Sequence, residues 1–448
     1  MEKNSQTSLH RNGAFSSSFG FIVSCVGSAV GLGNIWMFPY RLGQYGGAAF
    51  LIPYFLFIFL FGWVGLSAEF AVGRLARTGT LGAYRCCFAS IDKKHGGRVG
   101  EILGWIPLLG SLGIAIGYAV ILGWVFRACW GSVTGEMLRT DAQTYFSQAT
   151  GEFGSVPWHI LVVVLVCAVV FTGVSKGIEK VSKVLMPLFF VLFLLVAVWV
   201  AFLPGASAGY EFLFVPKWEA LLKADTWVMA MGQAFFSLSI TGSGMIVYGA
   251  YLDKSVNIPA ASLRTALFDI LAAILSALAI MPAVFAFNIA PTSGPSLLFI
   301  TLPGIFREIP FGRVFAVFFF ISVAFAGITS LINMFEAVIE SWQNRFHMRR
   351  KIAVALCGVI TLVVGIFLEA EPKVGSWLDF VSIVVVPIGA VLGAISIYYI
   401  LGYRRIRQEL EEGRDRPLSH AFGFAARFLY VPLTILVLIL GFCYRGIG

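Results

Sequence analysis

Two stretches of this 448-residue chain place small, oxygen-rich or conformationally permissive residues inside otherwise continuous apolar runs. The first is SCVGSAVGLGNIWMFP, from Ser24 to Pro39, with Gly27, Gly31, Gly33 and Asn34 in mid-run. The second is FFSLSITGSGMIVYGAY, from Phe235 to Tyr251, with Ser237, Ser239, Thr241, Gly242, Ser243 and Gly244 in mid-run. Glycine and small hydroxyl residues weaken a helix. In lipid, an opened backbone has to be satisfied by protein, ions or ligand. Unwound carbonyls and helix C-termini suit Na⁺, and exposed helix N-termini suit a carboxylate. Close helix packing through small residues is the competing reading. A matched pair of breaks, each with hydroxyls or amides, favours a substrate site at the membrane midplane.

Single residues add to this. Asp269 is an ionisable group deep in an apolar run, which is costly and marks function by default; snorkelling from a helix end is the alternative. Tyr118 lies in a run expected to face the breaks. Glu69, Glu336 and Glu340 read as structural hydrogen-bond acceptors and Gln233 as a donor near the outer side. There is no nucleophile–base grouping, metal-ligand cluster or nucleotide loop, and His10, His95, His159, His347 and His420 are scattered, so an enzyme is not expected.

The elements that must position these groups follow from composition. Hydrophobic residues make up 58% of the chain and charged ones 12%, against about 25% charged in soluble proteins. Mean hydropathy is +0.87. About eleven helix-length apolar runs are expected, at 15–40, 48–71, 103–130, 156–174, 184–203, 227–251, 262–289, 311–341, 352–368, 377–403 and 421–444. The chain therefore reads as an all-α membrane protein. Basic residues gather in alternate connections: Arg74 to Arg98, Lys176 to Lys183, Arg345 to Lys351, and 402–416. The positive-inside rule makes those loops cytoplasmic, with the N-terminus beside them and the C-terminus outside. The net charge of +9 then reflects this bias and attraction to anionic lipid, with no nucleic-acid partner. No signal peptide is expected from the polar start. The seven cysteines show neither metal spacing nor a disulfide framework.

At these residues the chain resembles the neurotransmitter:sodium symporter family. The run AVGLGNIWMFPYRLGQYGGAAFLIPY (Ala29–Tyr54) is similar to its signature, and GQAFFSLS (Gly232–Ser239), ITLP (Ile300–Pro303), AGITS (Ala326–Ser330) and WLDF (Trp377–Phe380) follow in order. The resemblance covers essentially the whole chain and looks bacterial, with eleven spans where the family usually has twelve. It implies the leucine-transporter fold: a single transporter domain with two inverted five-helix repeats, 15–203 and 227–403, a further span at 421–444, and broken first and sixth helices. It implies two Na⁺ ions. The first would be held by the Ala29 carbonyl, Asn34, Ser237, Asp269 and the substrate carboxylate. The second would be held by the carbonyls of Gly27, Val30 and Ala326 with the Thr329 and Ser330 hydroxyls. All are hard oxygen donors, which hard cations prefer. The substrate carboxylate would meet amides around Gly31, Leu32 and Gly33 and the Tyr118 hydroxyl. Its ammonium would meet carbonyls near Ala29, Phe236 and Ser239. Its side chain would face Ile114, Phe236, Gly242, Ser330 and Met334, and Ser28 and Ser237 complete the lining.

Departures from the family sharpen the expectations. Many relatives carry a neutral Asn at the position of Asp269, and some of those need chloride. A carboxylate here implies chloride-independent transport, with proton counter-transport as a further expectation. The usual outer gate pairs an Arg with an Asp; Asp379 is present, but Met37 stands at the Arg position. On the cytoplasmic side Phe15 replaces a Trp, and Asn12 and Asn344 replace a charged pair, with Arg11 nearby. Gly242 stands where a relative has Phe, implying room for a larger apolar or aromatic substrate side chain. The expected function is sodium-coupled import of a neutral amino acid across the bacterial inner membrane by alternating access. The alternative is an amino-acid-binding membrane receptor on the same fold without transport.

Overall fold

The computed structural model describes residues 14–289 and 297–447. Among these, regular structure is helical throughout. Leucine, valine, isoleucine and phenylalanine fill long uninterrupted runs, and a helix alone satisfies every backbone group of such a run within one segment. The principal helices are α1 (Ser18–Ala29), α2 (Gly33–Gln44), α3 (Ala48–Ala76), α4 (Thr80–Ala89), α5 (Gly96–Thr134), α6 (Val156–Phe171) and α7 (Val174–Val200). They continue as α8 (Ala224–Ser237), α9 (Gly244–Ala250), α10 (Ile258–Ala286), α11 (Gly312–Phe346), α12 (Arg350–Phe367), α13 (Glu371–Glu411) and α14 (His420–Cys443).

Eight of these helices are long and apolar enough to cross a membrane, and α1 with α2, bent by 57°, makes a ninth span. The sixteen-residue α6 and the interrupted pair α8–α9 account for the other two expected runs. Length alone undercounts here, because a span opened in its middle is two short helices. The N-terminal gate positions Arg11 and Asn12 lie outside the described residues.

The centre and rim separate by burial. In the most apolar stretch of α5, 78% of residues are buried, against 33% in each of α7, α12 and α14. Those three helices turn large side chains such as Leu194, Val198 and Val359 outward, as a lipid-facing surface requires. The central crossings are close. Gly73 on α3 faces the backbone at Ile246, and Gly249 on α9 faces the backbone at Phe70, so neither site has space for a Cβ. Small residues that let two backbones touch are the usual adhesive between membrane helices. That packing sets α9 firmly against α3 and fixes one side of the second break.

A candidate site for sodium and an amino acid

Between α1 and α2 the chain leaves helical geometry at Val30, with ψ of 111°. Between α8 and α9 it does so over Leu238–Ser243, with φ of 54° at Ser239 and 73° at Gly242. The left-handed region is reached without penalty by glycine, which explains Gly242. Its nitrogen donates to Glu69 Oε1 at 2.8 Å, so a buried carboxylate on α3 holds the second break open. Asn333 on α11 donates to the Gly244 carbonyl at 3.2 Å, and Thr80 pairs with Ser243 at 2.9 Å. Gln233 Nε2 donates to the Gly33 carbonyl at 3.2 Å and ties α8 to the first break.

Asp269 sits in mid-α10 with none of its surface exposed, so it does not snorkel. Its carboxylate accepts from Asn34 Nδ2 at 2.8 Å and from Ser237 Oγ at 2.7 and 2.9 Å. The first break, the second break and α10 thus meet at one buried charge. The Asn34 amide oxygen accepts from the Gly31 nitrogen at 3.1 Å. Ligating a cation through that oxygen takes a half-turn of the amide, which exchanges its oxygen and nitrogen.

A second oxygen cluster lies on the other side of the first break. Ser330 Oγ donates toward the carbonyls of Val30 at 3.0 Å and Gly27 at 3.2 Å. One residue earlier, Thr329 Oγ1 donates to the Ala326 carbonyl at 2.9 Å. Gly27 lies against Thr329, whose Cβ would be 2.9 Å from an added Cβ. Both clusters consist of carbonyl, hydroxyl, amide and carboxylate groups. Such oxygen donors suit a hard cation; among the described residues no group of three His, Cys, Asp or Glu side chains could hold a metal ion.

Between the clusters lies a cavity of about 90 Å³ open to water centres, several times the ~10–15 Å³ that one water needs. Ser28, Ala29, Gly31, Leu32, Gly33 and Asn34 line it from the first break, with Phe236, Ser237 and Ser239 from the second. Tyr118 Oη accepts from the Leu32 nitrogen at 3.0 Å, which places the hydroxyl beside the opened amides. Ile114, Met334 and Val386 form an apolar end. The structure thus brings together the residues singled out in the sequence, with one exception. Gly242 does not line the cavity; its neighbours Thr241 and Gly244 do. A Cβ at Gly242 would lie 2.5 Å from the Gly389 carbonyl, so this glycine serves backbone geometry and close approach. The absence of a side chain there therefore adds no pocket volume. Asn333 also lines the cavity; the signal for it in the sequence is an amide one turn beyond Thr329, on the same helix face.

The two sides of the site differ in their contacts. On the side of the basic loops, Phe15 packs edge-on against Phe21, Tyr248 and Tyr251. Ser16 donates to Glu179 through its nitrogen at 2.7 Å and its hydroxyl at 2.6 Å, and Glu179 pairs with Lys183 at 2.6 Å. Arg350 pairs with buried Glu336 at 2.5 Å, and Tyr251 donates to the same carboxylate at 2.6 Å. Asn344 is exposed. On the opposite side Asp379 is exposed and forms no ion pair among the described residues, while Met37 is half-buried.

Comparison with known proteins bears on the family and the fold. The profile described as "Sodium:neurotransmitter symporter family" matches residues 12–150 and 140–444. An uncharacterized sodium-dependent transporter of Bacillus subtilis, YhdH, is 33% identical over 445 residues, covering 95% of this chain and 96% of that protein. An uncharacterized sodium-dependent transporter of Methanocaldococcus jannaschii is 30% identical over 434 residues, covering 89% of this chain and 84% of its own. Among solved structures, MhsT in complex with L-phenylalanine is similar with a TM-score of 0.84 and 31% identity, covering 96% of this chain and 99% of that one.

Proposed function

We propose a function from one premise: this chain belongs to the sodium:neurotransmitter symporter family and is a multi-pass, sodium-dependent membrane transporter, not an enzyme. On that premise it imports a neutral amino acid with a hydrophobic or aromatic side chain, coupled to two Na⁺ ions and independent of chloride. Its two halves, 15–203 and 227–403, act as inverted five-helix repeats around the breaks in the bacterial inner membrane, with the N-terminus cytoplasmic and the C-terminus external.

The observation that carries this reading is the buried Asp269 carboxylate, held by Asn34 from the first break and Ser237 from the second. A charge so placed stays compensated when a cation binds beside it. Na⁺ would take lone pairs from Asn34, Ser237, Asp269 and the Ala29 carbonyl. A second ion would take those of Gly27, Val30, Ala326, Thr329 and Ser330. The substrate carboxylate would complete the first shell while meeting the Leu32 amide and Tyr118. With Asp269 supplying a fixed negative charge, no halide is needed to balance the ions. The apolar end at Ile114, Met334 and Val386 supports a large apolar side chain, and MhsT, with its L-phenylalanine, points the same way.

Uptake of a mixture of labelled amino acids into proteoliposomes, in chloride-free buffer with and without an inward Na⁺ gradient, tests the proposal. Na⁺-driven accumulation of an apolar subset is the expected result. Na⁺-dependent binding without accumulation would instead establish the receptor alternative.

A further inference from the structure

The side of the cavity opposite the basic loops is roofed by a short segment, Tyr444–Ile447, that lies outside every quoted motif. After α14 the chain reverses through Arg445 and Gly446, at φ of 53° and 118°. Ile447 then turns inward, is 3% exposed, and lines the cavity together with Gly232 and Gly441. Its carbonyl accepts from Arg41 Nη1, and the same guanidinium donates to the Met229 carbonyl at 3.3 Å. Arg41 lies on α2, one turn beyond Met37, and is itself buried. Gly232 on α8 has no space for a side chain because a Cβ would land on the Ile447 carbonyl. Gly446 packs against Ile383 of α13, and Tyr444 Oη donates to Asp225 at 2.9 Å. One short segment thus bridges α2, α8 and α13 across the mouth, and a buried cation holds its backbone.

We propose that Tyr444–Ile447 is the outer lid of the substrate cavity, latched by Arg41, and that it takes the part of the arginine–aspartate gate that Met37 and the unpaired Asp379 cannot form. Substrate entering from that side then requires the Arg41–Ile447 contact to break and the segment to swing off Gly232 and Ile383. Arg41 acts on access rather than on the bound amino acid, since it touches the lid and not the binding residues. The word gate rests on the symporter reading; the covering contact does not.

The test is thiol accessibility, which needs no flux. A Ser382→Cys reporter lies on the cavity wall, in a background with Cys443→Ser and Cys129→Ser, and is reacted in Na⁺ with a charged, membrane-impermeant methanethiosulfonate. Deletion of residues 444–448, Arg41→Gln and the full-length Gly232→Ala should each speed labelling roughly tenfold or more, the scale set by one buried hydrogen bond to a charged group. Arg41→Lys should restore part of the slow rate. Na⁺-dependent amino-acid binding checks that each variant is folded, and Gly232→Ala keeps the test decisive if the deletion does not fold. Unchanged or slower labelling in the folded variants would overturn the proposal. Fast labelling of the variants together with no Na⁺-driven uptake by the native protein would leave the lid standing and count against the symporter reading, so the two failures are separable.

Discussion

Gly31 sits where two binding groups meet. A Cβ there would lie 2.6 Å from Tyr118 Oη and 2.8 Å from Ser330 Oγ, so Gly31→Ala should push apart the carboxylate contact and the second cation cluster. We predict at least a tenfold loss of amino-acid affinity with the protein still folded, since each displaced hydrogen bond costs about 1 kcal/mol and the two effects share one site; titration of purified protein in Na⁺ reads it directly. Gly242 makes the opposite prediction. Its φ of 73° and its approach to Gly389 mean that Gly242→Ala should lower thermal stability by roughly 1–3 kcal/mol, the usual strain of a non-glycine residue in such a conformation, and should leave side-chain preference unchanged in whatever folds. Asp269 and the glycine-rich runs were legible in the sequence because a charge or a helix-weakening residue inside an apolar run is a local anomaly. The role of Gly242 was not, because a backbone dihedral and a neighbour 147 positions away in Gly389 leave no mark on the residue's own type.

Among the elements, the second break depends on α3. Glu69 is buried and its accepted bond from the Gly242 nitrogen is the link between them. Glu69→Gln keeps an acceptor of the same shape, whereas Glu69→Ala strands a buried N–H. Uptake should fall moderately in the first and far more in the second, by the roughly 1.5–3 kcal/mol that a hydrogen bond to a charged group contributes. Equal uptake in both variants would show that α9 is held by packing alone. On the side of the basic loops, Arg350→Ala leaves Glu336 buried with only Tyr251 to answer it, which costs about 3–5 kcal/mol for a fully buried pair and less here because Arg350 is partly exposed. We expect that side of the site to open more readily, seen as faster protection loss in hydrogen exchange across 245–251. Span positions were legible from hydropathy. The extent of α13, which continues past a break in helical geometry at Gly402 (φ of 91°) to Glu411, was not, because its polar last turns carry no membrane signal. Nor was the cover formed by Tyr444–Ile447, since a short segment packed over a distant cavity has no periodicity to read.

For the whole molecule, sodium coupling means that ion gradients do the work. One charge crossing 100 mV is worth about 2.3 kcal/mol and a tenfold gradient about 1.4 kcal/mol, so two ions supply roughly 7 kcal/mol for accumulating a zwitterion. Accumulation should therefore rise with an imposed inside-negative potential, measurable with valinomycin and a K⁺ gradient. The overall architecture was the most legible level of all, because 58% hydrophobic residues and alternating basic loops leave few other solutions. The most direct test of the central claim compares uptake by the native protein and by Asp269→Asn in proteoliposomes, with chloride present or replaced by gluconate. If the Asp269 carboxylate stands in for chloride, uptake by the native protein is equal in both buffers and uptake by the variant depends on chloride. Chloride-independent uptake by Asp269→Asn would contradict it.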